Sequence, residues 1–506
     1  MKKNWISKLA LAALLLCGAG QAQAQKGYDV PALNPELQTM ADQVIDMQIS
    51  EPDKANRAFT KLMSKAKKKK EDLLSLGQYF LDKNIYPCAM QCAKQVYEAD
   101  PTYIPGLMFN GEVCMMRKDY GSAGQMFDAV LVQDSAYVPA LKRNAFVYKN
   151  VNPHVAIEML QRIQRAEPDN HVASRDLGDI YYALDEYKDA VKQYSNYFSK
   201  VTENDSTDIR PGENYVQSLF ATAEFYDIPE LCERFSKLDS KTIVFKRMNF
   251  FAQVENLKAD QARAAMSYIT ENQYADSIYI YLDYIYATNF LADEGDIPGA
   301  ITYCEKAVAR DTSKIGALKQ LASLYRRNKQ SDKGIETFKL YLQKMGPKAD
   351  LSDKLLLGQQ YLGASQQADI TPEHRAELVK QADELFLAIL AERPDAYQAV
   401  LMRAALHITD GSKPEEEPKM LYEEALRMME GKENTDNAKL TALRYLAFYH
   451  VQKDELDDAR KCCDGILAID AENAFAKQID TYLKSQTDGG RLYGFESKWI
   501  RKDIGL

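Results

Sequence analysis

Residues 177–191 read LGDIYYALDEYKDAV. A glycine stands among large apolar residues, and an alanine follows it twelve positions later. Small side chains at such an interval mark places where two helix backbones cross closely, because only Gly, Ala or Ser leaves room there. The same pair recurs along the chain. Gly77, Gly111, Ala145 and Gly178 lie 34, 34 and 33 residues apart, and Ala89, Ala123, Ala156 and Ala190 lie 34, 33 and 34 apart. Looser versions occur at Phe250–Ala262, Thr288–Ala300, Ala322–Gly334 and Ala447–Ala459.

Large residues hold fixed offsets from these columns. Phe80, Tyr148, Tyr181, Tyr325 and Tyr361 stand three beyond the first small site; Phe127, Tyr194, Phe338 and Phe386 stand four beyond the second. Pro101, Pro168 and Pro394 close three units, since proline pushes its predecessor out of helical geometry. This pattern resembles the tetratricopeptide repeat, a helix–turn–helix unit of about 34 residues. The resemblance implies an all-α chain, a right-handed superhelical α-solenoid of about ten repeats. In this reading Gly178 and Ala190 mark where the two helices of one unit meet, and Tyr181 and Tyr194 fill the space beside them.

The expected organisation follows the columns. Residues 1–24 form a leader and 25–70 an N-terminal segment with a capping helix that ends in KKKK (67–70). Residues 71–200 hold four repeats, 201–280 degenerate helical repeats, and 281–346 further repeats. Residues 347–485 hold repeats with two insertions, GASQQADITPEH and a loop around GSKPEEEP; Thr371-Pro372 reads as a helix cap followed by a first-turn proline. Residues 486–506, with Trp499, form a tail that caps the last helix pair.

The leader has positive Lys2, Lys3 and Lys8, an apolar run from Leu9 to Gly20, and Ala22-Gln23-Ala24 in the small-x-small form of a cleavage site. Export to a periplasm with cleavage after Ala24 is expected. Lipid anchoring at Cys17 is the alternative, disfavoured by Leu16 where a small residue is wanted. Beyond the leader no run is long and apolar enough to span a bilayer. Seven further cysteines, an odd number, read mainly as small buried apolar side chains, with Cys92–Cys114 the pair to test as a disulfide.

A net charge of −9 argues against a nucleic-acid partner. The sequence holds no phosphate-cradling glycine loop, metalloprotease helix, nucleophile elbow or paired zinc cysteines, so no catalytic residue, cofactor or metal site is assigned and the chain is read as non-enzymatic. His407 and His450 occupy columns that elsewhere hold tyrosine or phenylalanine and read as core or near-core residues. Asp134-Ser135-Ala136, Asp205-Ser206-Thr207 and Asp276-Ser277-Ile278 resemble the acceptor of an O-glycosylation system of secreted bacterial proteins.

By resemblance to the family, ligand-facing side chains lie on each first helix beside the packing columns. In the four N-terminal units these are Leu74, Gln78 and Leu81; Met108, Glu112 and Met115; Lys142, Phe146 and Lys149; Arg175, Asp179 and Tyr182. Apolar residues alternate with both signs of charge, a mixture that suits a peptide better than a sugar. The family's lysine–asparagine clamp for chaperone tails is missing. The expected function is a periplasmic scaffold that holds peptide segments of envelope proteins. A glycan-binding module of an outer-membrane uptake system is the alternative, and an accessory enzyme subunit the third.

Overall fold

The computed structural model describes residues 28–201, 208–239, 241–271, 274–408 and 413–487. The leader, Asp205-Ser206-Thr207, Trp499 and nearly all of the expected C-terminal cap lie outside these residues. Among the described residues the regular structure is helical, with no strand. The chain divides after Glu271 into two units.

Unit 1 is a stack of seven antiparallel hairpins. They are α1 (Pro35–Ser50) with α2 (Pro52–Ala66), α3 (Lys70–Asp82) with α4 (Tyr86–Ala99), and α5 (Ile104–Met116) with α6 (Tyr120–Gln133). Then come α7 (Val138–Tyr148) with α8 (Pro153–Ala166), α9 (His171–Ala183) with α10 (Tyr187–Phe198), α11 (Arg210–Ala221) with α12 (Ile228–Ser236), and α13 (Ile243–Glu255) with α14 (Ala259–Ala265). A single turn, α15 (Ser267–Thr270), follows. Where one capping helix was expected before residue 70, two helices form a full hairpin. Its small residues Ala41 and Ala55 are both buried, but they stand fourteen apart and so fall outside the twelve-residue pattern.

Unit 2 repeats the scheme with five hairpins and a closing helix. These are α16 (Tyr281–Asp293) with α17 (Ile297–Arg310), α18 (Gly316–Arg327) with α19 (Ser331–Met345), and α20 (Leu351–Ser365) with α21 (Pro372–Glu392). After them come α22 (Tyr397–Leu406) with α23 (Glu416–Met428), and α24 (Asp436–Gln452) with α25 (Leu456–Ile469). The closing helix, α26 (Ala474–Thr487), covers the end of the unit by burying Phe475, Ala476, Ile479 and Leu483. The first insertion ends α20, forms the connection 366–371 and opens α21, which runs to 21 residues; Thr371 caps its start by accepting a hydrogen bond from the His374 amide at 3.2 Å.

The packing columns have a more specific cause than close backbones alone. A Cβ on Gly178 would lie 2.7 Å from the Tyr194 ring, one on Gly111 2.3 Å from Phe127, and one on Gly358 2.3 Å from Phe386. In these three hairpins an aromatic of the second helix sets one side of its ring against the glycine of the first. Backbone approach governs other sites: a Cβ on Gly334 would stand 3.1 Å from the Ala322 carbonyl oxygen. At Gly77 the space is closed by Cys92 of its own hairpin and by Phe109 of the next.

Most turns inside the hairpins share one form. The second residue after the first helix adopts a left-handed backbone at Asn84, Lys118, Asp185, Ala223, Leu257, Lys329 and Asp454, with φ between 57° and 63°. The next amide then bonds back to the helix, as in Ile85 to the Phe80 carbonyl at 2.8 Å and Gln330 to Tyr325 at 2.8 Å. Glycine takes this position only at Gly295 among these turns. Leu257 is 90% exposed there, so its side chain contributes strain without packing. Leu257→Gly is expected to stabilise unit 1 by about 0.5–1 kcal/mol, read as a higher denaturant midpoint.

Turns between hairpins use aspartate instead. Asp100, Asp134, Asp311 and Asp470 each accept the amide two residues on, at 2.9–3.2 Å. The Asp134-Ser135-Ala136 triplet is therefore an ordinary repeat turn; it and Asp276-Ser277-Ile278 are exposed.

Candidate peptide-binding groove

The first helices α3, α5, α7 and α9 carry eleven of the twelve predicted groove positions, with Lys149 just past the end of α7, and the structure treats them unequally. Leu74 and Met108 are buried, at 0% and 1% exposure, and belong to the hydrophobic core of unit 1. An apolar residue one turn before the packing glycine is covered within the protein here. Leu81 and Met115 are half-buried against the same core. Gln78 is buried too, but its cover is unusual. Tyr28, fifty residues upstream, donates its hydroxyl to the Gln78 Oε1 at 2.8 Å.

Charged positions are mostly paired within the protein. Glu112 on α5 forms an ion pair with Arg143 on α7. Burial raises the Glu112 carboxyl above the usual range, against the opposing pull of Arg143. Arg175 grips its neighbour Asp176 through Nε at 2.9 Å and Nη2 at 2.6 Å. Asp179 accepts the Tyr194 hydroxyl at 2.7 Å and Asn214 Nδ2 at 3.4 Å. It therefore clamps α9 to α10 and α11, a packing role that its position in the repeat did not disclose. Tyr182 is half-buried, its ring edge-on to Tyr187 at 5.9 Å.

The α7 positions differ. Lys142, Phe146 and Lys149 are all exposed, and Phe146 keeps 46% of its surface in water. The Lys149 ammonium lies 4.6 Å from the Phe146 ring centre. An exposed aromatic flanked by cations offers apolar contact and an attraction for carboxylates on one face.

Chemistry elsewhere is sparse. All seven described cysteines are free, Cys92 and Cys114 included. Burial pushes the Cys88 thiol up to about 11 and that of Cys462 up to about 12, so neither supplies a thiolate nucleophile near neutrality. Part of the lysine run is engaged: Lys70 opens α3 and pairs with Asp100 at 2.6 Å. His450 is buried, as its column predicts, and its Nδ1 bonds Glu455 Oε2 at 2.6 Å. Asp458 completes a group whose ligand-type atoms lie within 4.8 Å, but its carboxylate already accepts Lys461 at 2.8 Å. His407 is half-buried and bonds Asp383 at 3.2 Å, beside Arg403.

Residues 148–197, from the end of α7 through α10, match the family model described as tetratricopeptide repeat. This stretch carries the tetratricopeptide repeat. Its fold is similar to several solved repeat proteins. The C-terminal part of a repeat-containing protein from Cytophaga hutchinsonii is 19% identical, with 53% of this chain and 98% of that chain covered and a TM-score of 0.41. A tetratricopeptide repeat protein from Parabacteroides merdae is 14% identical, over 50% of this chain and 98% of that one, TM-score 0.32. YrrB, described as a repeat protein with an unusual peptide-binding site, is 16% identical over 37% and 95%, TM-score 0.33. No curated protein matches the chain. Tetratricopeptide repeats are in general non-catalytic interaction modules, and no helix among the described residues is long and apolar enough to cross a membrane.

Proposed function

We propose that this repeat protein is a non-enzymatic scaffold of the periplasm, which holds peptide segments of envelope proteins against the first-helix face of unit 1. The observation that carries the reading is the exposed α7 surface, where Phe146 lies between Lys142 and Lys149. A hydrophobic anchor ringed by charge is the usual composition of an interaction hot spot. The leader sequence supports export, with cleavage after Ala24 favoured over anchoring at Cys17.

Crosslinking in the native envelope followed by mass spectrometry tests this. Recovered envelope proteins support the scaffold; recovered glycans in their place would move the assignment to the glycan-binding alternative. Phe146→Ala is expected to weaken capture about tenfold while leaving the melting curve unchanged, since a half-exposed anchor contributes roughly 1–2 kcal/mol to binding and little to folding. Undiminished capture would remove α7 from the contact surface.

A further inference from the structure

The residues before α1 are not loose against unit 1. Tyr28 is 8% exposed and sits within the same core cluster as Leu73, Leu74 and Met108; Val30 and Leu33 pack on that cluster. Asn34 then caps α1, accepting the Glu36 amide at 2.9 Å. Residues 28–34 thus form an extended arm that runs back from α1 over the following hairpins. Seven extended residues reach about 23 Å, and neighbouring helices stack about 10 Å apart, so the arm can pass two further hairpins. Its surroundings agree: the groups that bear electrostatically on the Tyr28 hydroxyl are Glu112, Arg143, Asp82 and Tyr137, spread from α3 to α7. Asp29, which is exposed, acts in the same way on Tyr103 and Tyr137, at the starts of α5 and α7.

The contact is chemically selective. Gln78 Nε2 donates to Asp82 Oδ1 at 2.8 Å, which fixes the amide so that Oε1 faces Tyr28. The site therefore demands a hydrogen-bond donor at the tip of a ring. Phenylalanine fills the volume but leaves Gln78 Oε1 unsatisfied. A phosphorylated tyrosine would bring negative charge toward Asp82 and Glu112.

Resting on the interaction reading above, we infer that the face built by α3, α5 and α7 is a binding site for an extended peptide bearing an unmodified tyrosine, with apolar residues two and five positions after it. The chain's own Tyr28–Leu33 arm holds that site closed in cis. A partner segment of the same chemistry gains access by displacing the arm.

The test uses the full chain and a fluorescent synthetic peptide of sequence YDVPAL, followed by anisotropy. Tyr28→Ala releases the arm's anchor and is expected to bind the peptide at least tenfold more tightly than the unaltered chain. In that background Gln78→Leu weakens binding tenfold, a peptide with phenylalanine for tyrosine does the same, and a phosphotyrosine peptide does not bind. Equal affinity for the two proteins, or no binding to a Tyr28→Ala chain whose circular dichroism is unaltered, overturns the inference. Should Tyr28→Ala unfold, Tyr28→Phe keeps the ring and loses only the hydrogen bond; a threefold gain is then expected, and none overturns the proposal. Envelope partners still captured by a chain that ignores the peptide would sink this site and leave the scaffold reading standing. Peptide binding without envelope partners would do the reverse.

Discussion

Gly178→Leu is expected to cost about 3 kcal/mol and to loosen α9 and α10 together. Even the first carbon of a side chain there would lie 2.7–2.9 Å from three atoms of the Tyr194 ring. The ring has little room to retreat, because its hydroxyl is held by Asp179 at 2.7 Å and by Asn214 at 3.1 Å. Tandem repeats do not unfold as one block, so a single melting temperature is a poor readout. Amide hydrogen exchange is the better one: protection should fall across residues 171–198 and much less in α3 and α4. A double-mutant cycle isolates the cause. Gly178→Ala should be costly alone and much less so beside Tyr194→Ala, since the clash requires both groups. Unaltered protection in α9 and α10 of Gly178→Leu would show that the ring yields, and the account of the glycine column would be wrong.

Asp353→Ala is expected to destabilise unit 2 by about 2–4 kcal/mol. The carboxylate is 6% exposed and accepts Lys319 Nζ at 2.8 Å and the Tyr341 hydroxyl at 3.0 Å. It also bonds the Asp350 amide at 3.4 Å, while Asp350 returns a bond to the Asp353 amide at 2.8 Å, a reciprocal cap on α20. Deletion leaves the Tyr341 hydroxyl buried and unpaired; Lys319 is partly exposed and rehydrates. Burial alone would raise this carboxyl, but the hydrogen bonds from Lys319 and Tyr341 outweigh it and hold it below 3.8. Its folded value lies below its unfolded one, so its stabilisation is complete above about pH 4 and is lost as pH falls through the folded value. The variant should therefore lose stability at neutral pH and show a flatter acid limb in urea titrations of unit 2. An acid limb parallel to that of the unaltered chain would place the proton uptake elsewhere.

The hairpins were legible because a crossing needs something small at a fixed place, and a period of 34 repeats that need. Gly178 and Ala190 announced the α9–α10 crossing from sequence. Which ring would land on the glycine was not legible, since Tyr181 and Tyr194 occupy equally plausible columns and only the helix crossing brings Tyr194 across. The α1–α2 hairpin escaped notice because Ala41 and Ala55 are spaced too widely for the pattern. The groove was less readable still. Periodicity assigns a side chain to a face of its own helix, but what covers that face arrives from elsewhere in the chain. Gln78 is hidden by a residue fifty positions away, and Asp179 is claimed by Asn214 on the next hairpin. Phe146 and its lysines stay in water, and no such neighbour reaches them among the described residues.

The way each ring is seated also sets an order of events during synthesis. Once Tyr194 has emerged from the ribosome, α9 and α10 hold the ring that covers Gly178, with Asn214 of α11 still to fix its hydroxyl, and α5 and α6 hold theirs once Phe127 is out. The α3–α4 pair does not, because part of the cover for Gly77 is Phe109, which is translated later. A free chain ending at residue 100 would therefore present a less settled second hairpin, open to proteases, whereas one ending at residue 134 would already protect it.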